Sequence, residues 1–206
     1  MPSTVFNPAT GEQKGRRIGE ASWTAARDAA TSSTNSSQPG CQSNSTGAFD
    51  NYRGFEPFDT STLPDDATVT AVTLELYRDD ASEDGGNGFD NGDTTSAVVV
   101  ASTQADPTAY ANTDYNEAAF TSKGSTAFAS TTNGAYFTIT ITDTSIISLS
   151  GYTKLAVITE LDRANTQPTG ENRLTWQSRA QANPPKLTVT YSQPEVGGNR
   201  GYSFTI

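Results

Sequence analysis

Two stretches of this chain leave little choice of fold. R-G-F-E-P-F-D-T-S-T-L-P-D-D-A-T-V-T-A-V-T-L-E-L-Y runs from Arg53 to Tyr77, and P-P-K-L-T-V-T-Y runs from Pro184 to Tyr191. The first reads as a strand, a proline-marked turn and a second strand; the second reads as a closing strand. Between Thr68 and Tyr77 the side chains alternate. Val72, Leu74 and Leu76 fall on one side, and Val69, Ala71, Thr73, Glu75 and Tyr77 on the other, which is the period of a half-buried strand.

The rest of the chain has the same grain. Tyr136–Thr142, Y-F-T-I-T-I-T, puts Phe137, Ile139 and Ile141 on one face and threonines on the other. Thr95–Thr103 holds the run A-V-V-V-A, whose length and β-branching predict a strand buried on both faces. Lys154–Glu160, Asn172–Gln177 and a short run at Thr4–Phe6 complete about eight strands. Arg53–Asp59 has Phe55 and Phe58 as apolar contacts, and Pro57 predicts an edge or a bulge there. One short helix is expected within Ala21–Ala30, capped by Ser22 with Trp23 packing down. A single helical turn is expected within Asp143–Ser150. Residues 31–48, rich in Ser, Thr, Asn and Gly, read as a long surface loop.

The fold expected is therefore all-β: one jelly-roll-like antiparallel β-sandwich with long loops and extended terminal arms. The 206 residues suit a single domain that buries a core without disulfides or metal. The divisions expected are an N-terminal arm at 1–19, the sandwich at 20–191 and a C-terminal arm at 192–206.

Charge and composition exclude several function classes. The net charge of −10 argues against binding nucleic acid through its phosphates. Acid is concentrated between residues 61 and 120, where Arg78 is the only basic residue among twelve carboxylates. No stretch is long and apolar enough to cross a membrane as a helix. The start, M-P-S-T-V-F-N-P, lacks a basic region followed by an apolar run, so a chain made in the cytoplasm is expected. Cys41 is the single cysteine, which excludes an intrachain disulfide, and it reads as an incidental thiol in a polar loop. The chain has no histidine, which removes Ser-His-Asp and Cys-His catalysis and every imidazole metal ligand.

Three chemistries remain to be weighed. The loop Asp79–Asp93, D-D-A-S-E-D-G-G-N-G-F-D-N-G-D, carries the hard oxygen donors that Ca²⁺ prefers, with Asp79, Asp80, Asp84, Asp90 and Asp93 as candidate ligands. Its spacing does not match a helix-loop-helix Ca²⁺ site, and a solvated, ion-free loop is the default. Trp23, Tyr110, Tyr115, Tyr152 and Trp176 are the aromatics available to stack on a glycan, against the commoner role of core packing. Paired carboxylates facing each other in a groove would cleave a glycoside, but the acids fall mainly in loops. Arg53, Asp59, Asp162, Arg163, Arg173 and Arg179 read as structural ion-pair partners near the strands.

The Arg53–Tyr77 segment resembles the R-x-F-x-x-F-D-T-S-x-L-P-x-x-A pattern of a broad jelly-roll family. G-Y-T-K-L-A-V-I-T, P-T-G-E-N-R-L and P-P-K-L-T-V-T-Y resemble its later strands. The family includes DNRLRE-type β-sandwich modules of secreted wall-associated proteins and similar stand-alone chains of tailed phages and metagenomic viruses. The likeness spans roughly residues 20–191 and is specific for fold rather than function. It implies a non-enzymatic structural protein on a virion surface, made in the host cytoplasm: a capsid decoration protein or a head- or tail-fibre subunit. The partners implied are the major capsid protein or neighbouring virion subunits, with a homodimer or homotrimer as the natural form. Val5 and Phe6 at one end, and Val196, Tyr202, Phe204 and Ile206 at the other, are the expected anchors. The rival reading is an extracellular carbohydrate-binding module that takes a surface glycan.

Overall fold

The computed structural model describes residues 1–36, 38–79, 95–116 and 120–194. Among them are twelve strands in two antiparallel sheets, stacked as a sandwich. The four-stranded sheet has the order β1 (Ser3–Phe6), β12 (Lys186–Ser192), β6 (Thr68–Tyr77), β9 (Tyr136–Ile141). The larger sheet has the order β11 (Asn172–Thr175), β4 (Gly40–Asn44), β5 (Phe49–Asp59), β10 (Tyr152–Thr159), β7 (Ser96–Ala101), β8 (Gly124–Ala127). Two further strands, β2 (Gln13–Glu20) and β3 (Thr34–Ser36), join it through β5.

The alternation read from sequence sets which faces are buried. Val72, Leu74 and Leu76 of β6, Phe137, Ile139 and Ile141 of β9, and Leu187 and Val189 of β12 point into the space between the sheets. There they meet Phe58, Val99, Leu155, Val157 and Leu174 from the larger sheet, and Trp176 just after β11. Each such side chain contributes roughly 1.5–3 kcal/mol by leaving water. A second apolar cluster, Phe55, Val98, Val100, Ala156 and Ile158, lies on the opposite face of the larger sheet and is covered by Tyr110 and Phe120. Burial on both faces is why the run from Ala97 to Val100 carries no polar residue.

The two sheets are tied at their corners by backbone. Thr142 N–H donates to the Lys123 carbonyl at 2.7 Å, joining the ends of β9 and β8, and Gln177 N–H donates to the Tyr77 carbonyl at 2.9 Å. The first corner leaves no space for a side chain at Gly124: a Cβ there would sit 2.2 Å from the Thr140 carbonyl oxygen. Because that obstacle is main chain, Gly124→Ala is expected to cost about 1–3 kcal/mol as overpacking. Thermal unfolding checks it, and an unchanged Tm would show that the corner has slack.

The short local elements follow their sequence signals. Ser22 caps helix α1 (Trp23–Arg27) by accepting from Ala25 N–H, and Trp23 is buried. Asp143 caps a one-turn 3-10 helix, Thr144–Ile146. Thr159 caps α2 (Glu160–Ala164) through the Asp162 N–H, and Asn165 ends it in the left-handed region.

Four expectations change. First, residues 1–19 are not a free arm: β1 pairs with β12 from Ser3↔Thr190 to Phe6↔Leu187, and β2 pairs with β5 from Gln13↔Phe55 onward. Between them the chain crosses from one sheet to the other, with Ala9 N–H on the Pro57 carbonyl. Second, Ser192 still belongs to β12, opposite Thr68. Third, residues 31–48 contain β3 and β4, and every residue of β4 is buried. Fourth, Pro57 is flanked on both sides, by Lys154 of β10 and by Ala9, which is tolerated because its carbonyl still accepts a bond. Cys41, expected in a polar loop, is fully buried on β4 in the main core, and burial pushes its thiol pKa up.

Candidate functional site

The residues singled out from the sequence fall into separate places. Val196, Tyr202, Phe204 and Ile206 lie outside the described residues, as do Asp80, Asp84, Asp90 and Asp93 of the acidic loop. Asp79 is described, and its carboxylate accepts from Gln177 Nε2 at 3.1 Å. Phe6 and Val5 part company. Phe6 is buried in the protein's own core, so it is corrected from partner anchor to core residue; Val5 is 57% exposed.

Val5 sits on the outer strand of the smaller sheet. Tyr191 N–H donates to the Pro2 carbonyl, which sets the phase of the β1–β12 ladder. Alternation then turns the backbone of Thr4 and Phe6 toward β12 and that of Ser3 and Val5 outward. Among the described residues β12 is the only strand paired with β1. The chain leaves β12 at Ser192, beside this same rim, because Tyr191 is next to Pro2. The result is a short open sheet edge with an exposed valine, next to the exit of residues 193–206.

The aromatic residues considered for sugar stacking are mostly interior. Trp176 and Tyr115 have no exposed surface and Trp23 is buried. Tyr110 is half-buried, tilted against Phe55 with ring centres 5.0 Å apart, and its hydroxyl donates to Ser32 Oγ. Tyr152 is half-buried at the start of β10.

Of the six charges read as structural pairs, Arg53, Asp162, Arg163 and Arg173 have charged partners. Arg53 binds Asp162 through Nε–Oδ2 at 2.7 Å and Nη2–Oδ1 at 2.8 Å, both side chains buried. Arg163 pairs with Glu160 and Arg173 with Glu171. Asp59 accepts from Ser61, which lowers its pKa.

The structure adds one feature that no sequence signal marked. Glu12, on the crossover before β2, and Glu56, in the middle of β5, are two buried carboxyls, each of which shifts the pKa of the other. Glu56 has no exposed surface and Glu12 is 7% exposed. Trp176 Nε1 donates to Glu56 Oε1 at 2.6 Å, and Arg179 N–H donates to Glu12 Oε2 at 2.7 Å. The other oxygen of each, Glu12 Oε1 and Glu56 Oε2, has no hydrogen-bond partner. Burial is the main reason that the Glu12 pKa rises from 4.5 to about 7. Burial first, and the charge of Glu12 second, push Glu56 well above the ordinary carboxylate range. Burial of both carboxyls thus opposes their ionisation. Glu12 also lines an open pocket of about 280 Å³ with Thr10, Ser178, Arg179 and Ala180.

Both carboxyls are closed off from solvent, Glu56 completely. Sequence reading missed them because an isolated Glu in E-P-F-D or in G-E-Q-K carries no mark of burial.

No family model and no curated protein matches the chain.

Proposed function

We propose that the chain is a non-enzymatic structural protein of a virion surface: a jelly-roll body that docks to neighbouring subunits through its open sheet edge. The observation that carries this reading is the β1 rim, where Val5 is exposed and its outward backbone N–H and C=O face no strand among the described residues. Edges of this kind accept a strand from another chain: the main chain supplies hydrogen bonds and alternate side chains supply specificity. The chain leaves β12 at Ser192 beside this rim, and Val196, Tyr202, Phe204 and Ile206 follow in sequence as the further anchors of this reading. Neighbouring copies or the major capsid protein are the partners, in a homodimer or homotrimer on the particle surface. Burial of Trp23 and Trp176 weighs against the glycan-binding rival, because it takes both indoles away from a surface platform.

Light-scattering mass, with and without capsid shells stripped of surface proteins, tests the proposal. Val5→Pro removes one outward N–H and leaves the β1–β12 bonds in place, and proline is tolerated on an edge. The full chain is expected to form a dimer or trimer or to bind shells. Val5→Pro and a chain trimmed of residues 193–206 are expected to lose that association with their circular dichroism unchanged. A full-length monomer that ignores shells, and that neither change affects, would sink the assembly reading.

A further inference from the structure

We propose that the β1 edge takes a second copy of this chain through the same strand: β1 pairs antiparallel with the partner's β1 about a two-fold axis at Val5, which turns two four-stranded sheets into one of eight. The inference rests on the edge reading above and names its partner, its symmetry and its register.

The phase of the main chain limits what can pair. Ser3 and Val5 turn their N–H and C=O groups outward, because Pro2, Thr4 and Phe6 hold the bonded positions opposite β12. Asn7 follows in the same outward phase. Outward residues of two antiparallel strands meet as hydrogen-bonded pairs, so a two-fold contact has only three registers to choose from. An axis at Val5 sets Val5 against the partner's Val5, and Ser3 against the partner's Asn7. Apolar then meets apolar and polar meets polar. An axis at Thr4 leaves each valine facing a serine. An axis at Ser3 sets Val5 against the partner's Met1, but Met1 turns its side chain back over its own sheet, where the sulfur accepts from Thr70 Oγ1 at 3.7 Å. The valine register therefore covers the side chain that the edge leaves 57% exposed, and it lets each Val5 exchange both main-chain bonds with its mate.

Charge favours a like copy at this place. With a net charge of −10, two copies repel each other unless they meet where neither is charged. The four residues of β1 are uncharged, and so are Thr188 and Thr190, which stand opposite Val5 and Ser3 on β12. Lys186, the one charged residue of β12, is opposite Glu75 and holds its ammonium 4.1 Å from the Tyr136 ring centre, on the side away from the rim. An edge protected against self-pairing carries lysine or proline at its outward positions. Pro2 and Pro8 flank β1 at even positions, whereas the outward N–H groups belong to Ser3 and Val5.

Cysteine cross-linking of the full chain tests the register. Paired Val5 Cα atoms would stand about 5.5 Å apart, within the span of a disulfide, whereas the two Ser3 Cα atoms, offset by four residues, would stand about 14 Å apart, beyond it. Cys41 is fully buried, so the introduced thiol is the accessible one. With oxidised glutathione as the oxidant, Val5→Cys is expected to give a covalent dimer and Ser3→Cys to stay monomeric on a non-reducing gel, both with unchanged circular dichroism. In the unmodified chain, the Val5 amide is expected to gain hydrogen-exchange protection as protein concentration rises. No cross-link from Val5→Cys, or an equal one from Ser3→Cys, overturns the self-pairing, and so does a Val5 amide that ignores concentration. Binding to stripped shells that persists without the Val5 cross-link overturns the self-pairing alone and gives the edge to a capsid strand. The assembly reading itself falls only when oligomer and shell binding are both missing.

Discussion

Asp162→Ala is expected to cost about 3–5 kcal/mol, the usual loss when one partner of a buried ion pair is removed. The cation left behind is buried. Arg53 is 1% exposed, its guanidinium stacks 4.4 Å from the Tyr115 ring centre, and it also donates to the carbonyls of Tyr115 and Arg27. Asp162 also accepts from Asn51 Nδ2 at 3.0 Å, while its own carbonyl receives Arg27 Nε at 2.7 Å. One carboxylate thereby joins α1, β5 and α2 on the outer face of the larger sheet. For a chain of this size the loss corresponds to about 10 °C in Tm. The pair's attraction is offset by the cost of drying two charges, so Arg53→Met combined with Asp162→Leu is expected to recover most of what the single change loses. Urea unfolding checks both. A single-variant loss below about 1 kcal/mol would mean that water reaches Arg53; a double variant as weak as the single would mean that shape, not charge, is at stake.

How far the sequence could be read divides along the chemistry of the buried residues. Strands whose buried positions are apolar were legible. Thr68–Tyr77 is β6 as read, Tyr136–Ile141 is β9 with Phe137, Ile139 and Ile141 inward, and the Val98–Val100 run is buried on both faces. The four strands missed are β2, β3, β4 and β8. β4 is G-C-Q-S-N, whose Gln42, Ser43 and Asn44 are buried but polar, and β2 buries Lys14. Hydropathy alternation sees apolar side chains, whereas these positions are held by cross-strand bonds such as Ser43 Oγ to Asn51 Oδ1 at 3.3 Å. The same limit hid the Glu12–Glu56 pair, since burial of a carboxyl depends on what the other sheet brings over it. The ion pairing of Arg53 and Asp162 was legible as a type of interaction; its depth, 109 residues apart in sequence and wholly inside the fold, was not.

Trp176→Ala is expected to cost about 3–5 kcal/mol, the range for removing a buried aromatic. The indole is the largest fully buried side chain. It fills the space above Gly54, where a Cβ would come within 2.6 Å of the ring. It also supplies the Nε1–H that Glu56 Oε1 accepts at 2.6 Å. Trp176→Phe separates the two roles. The smaller ring keeps most of the packing but leaves Glu56 Oε1 without a donor in a dry site, a penalty of about 1–3 kcal/mol. That donor lowers the Glu56 pKa, so its loss drives Glu56 further toward the protonated form. The deficit of Trp176→Phe is therefore expected to widen as pH rises, because ionising Glu56 has become harder while the unfolded chain still releases its proton. Urea unfolding near pH 6 and near pH 9, followed by the fluorescence of the remaining Trp23, measures both effects. A Phe variant as damaged as the Ala variant would place the whole contribution in the hydrogen bond. A Phe deficit that is the same at both pH values would show that Glu56 does not depend on the indole N–H for its ionisation.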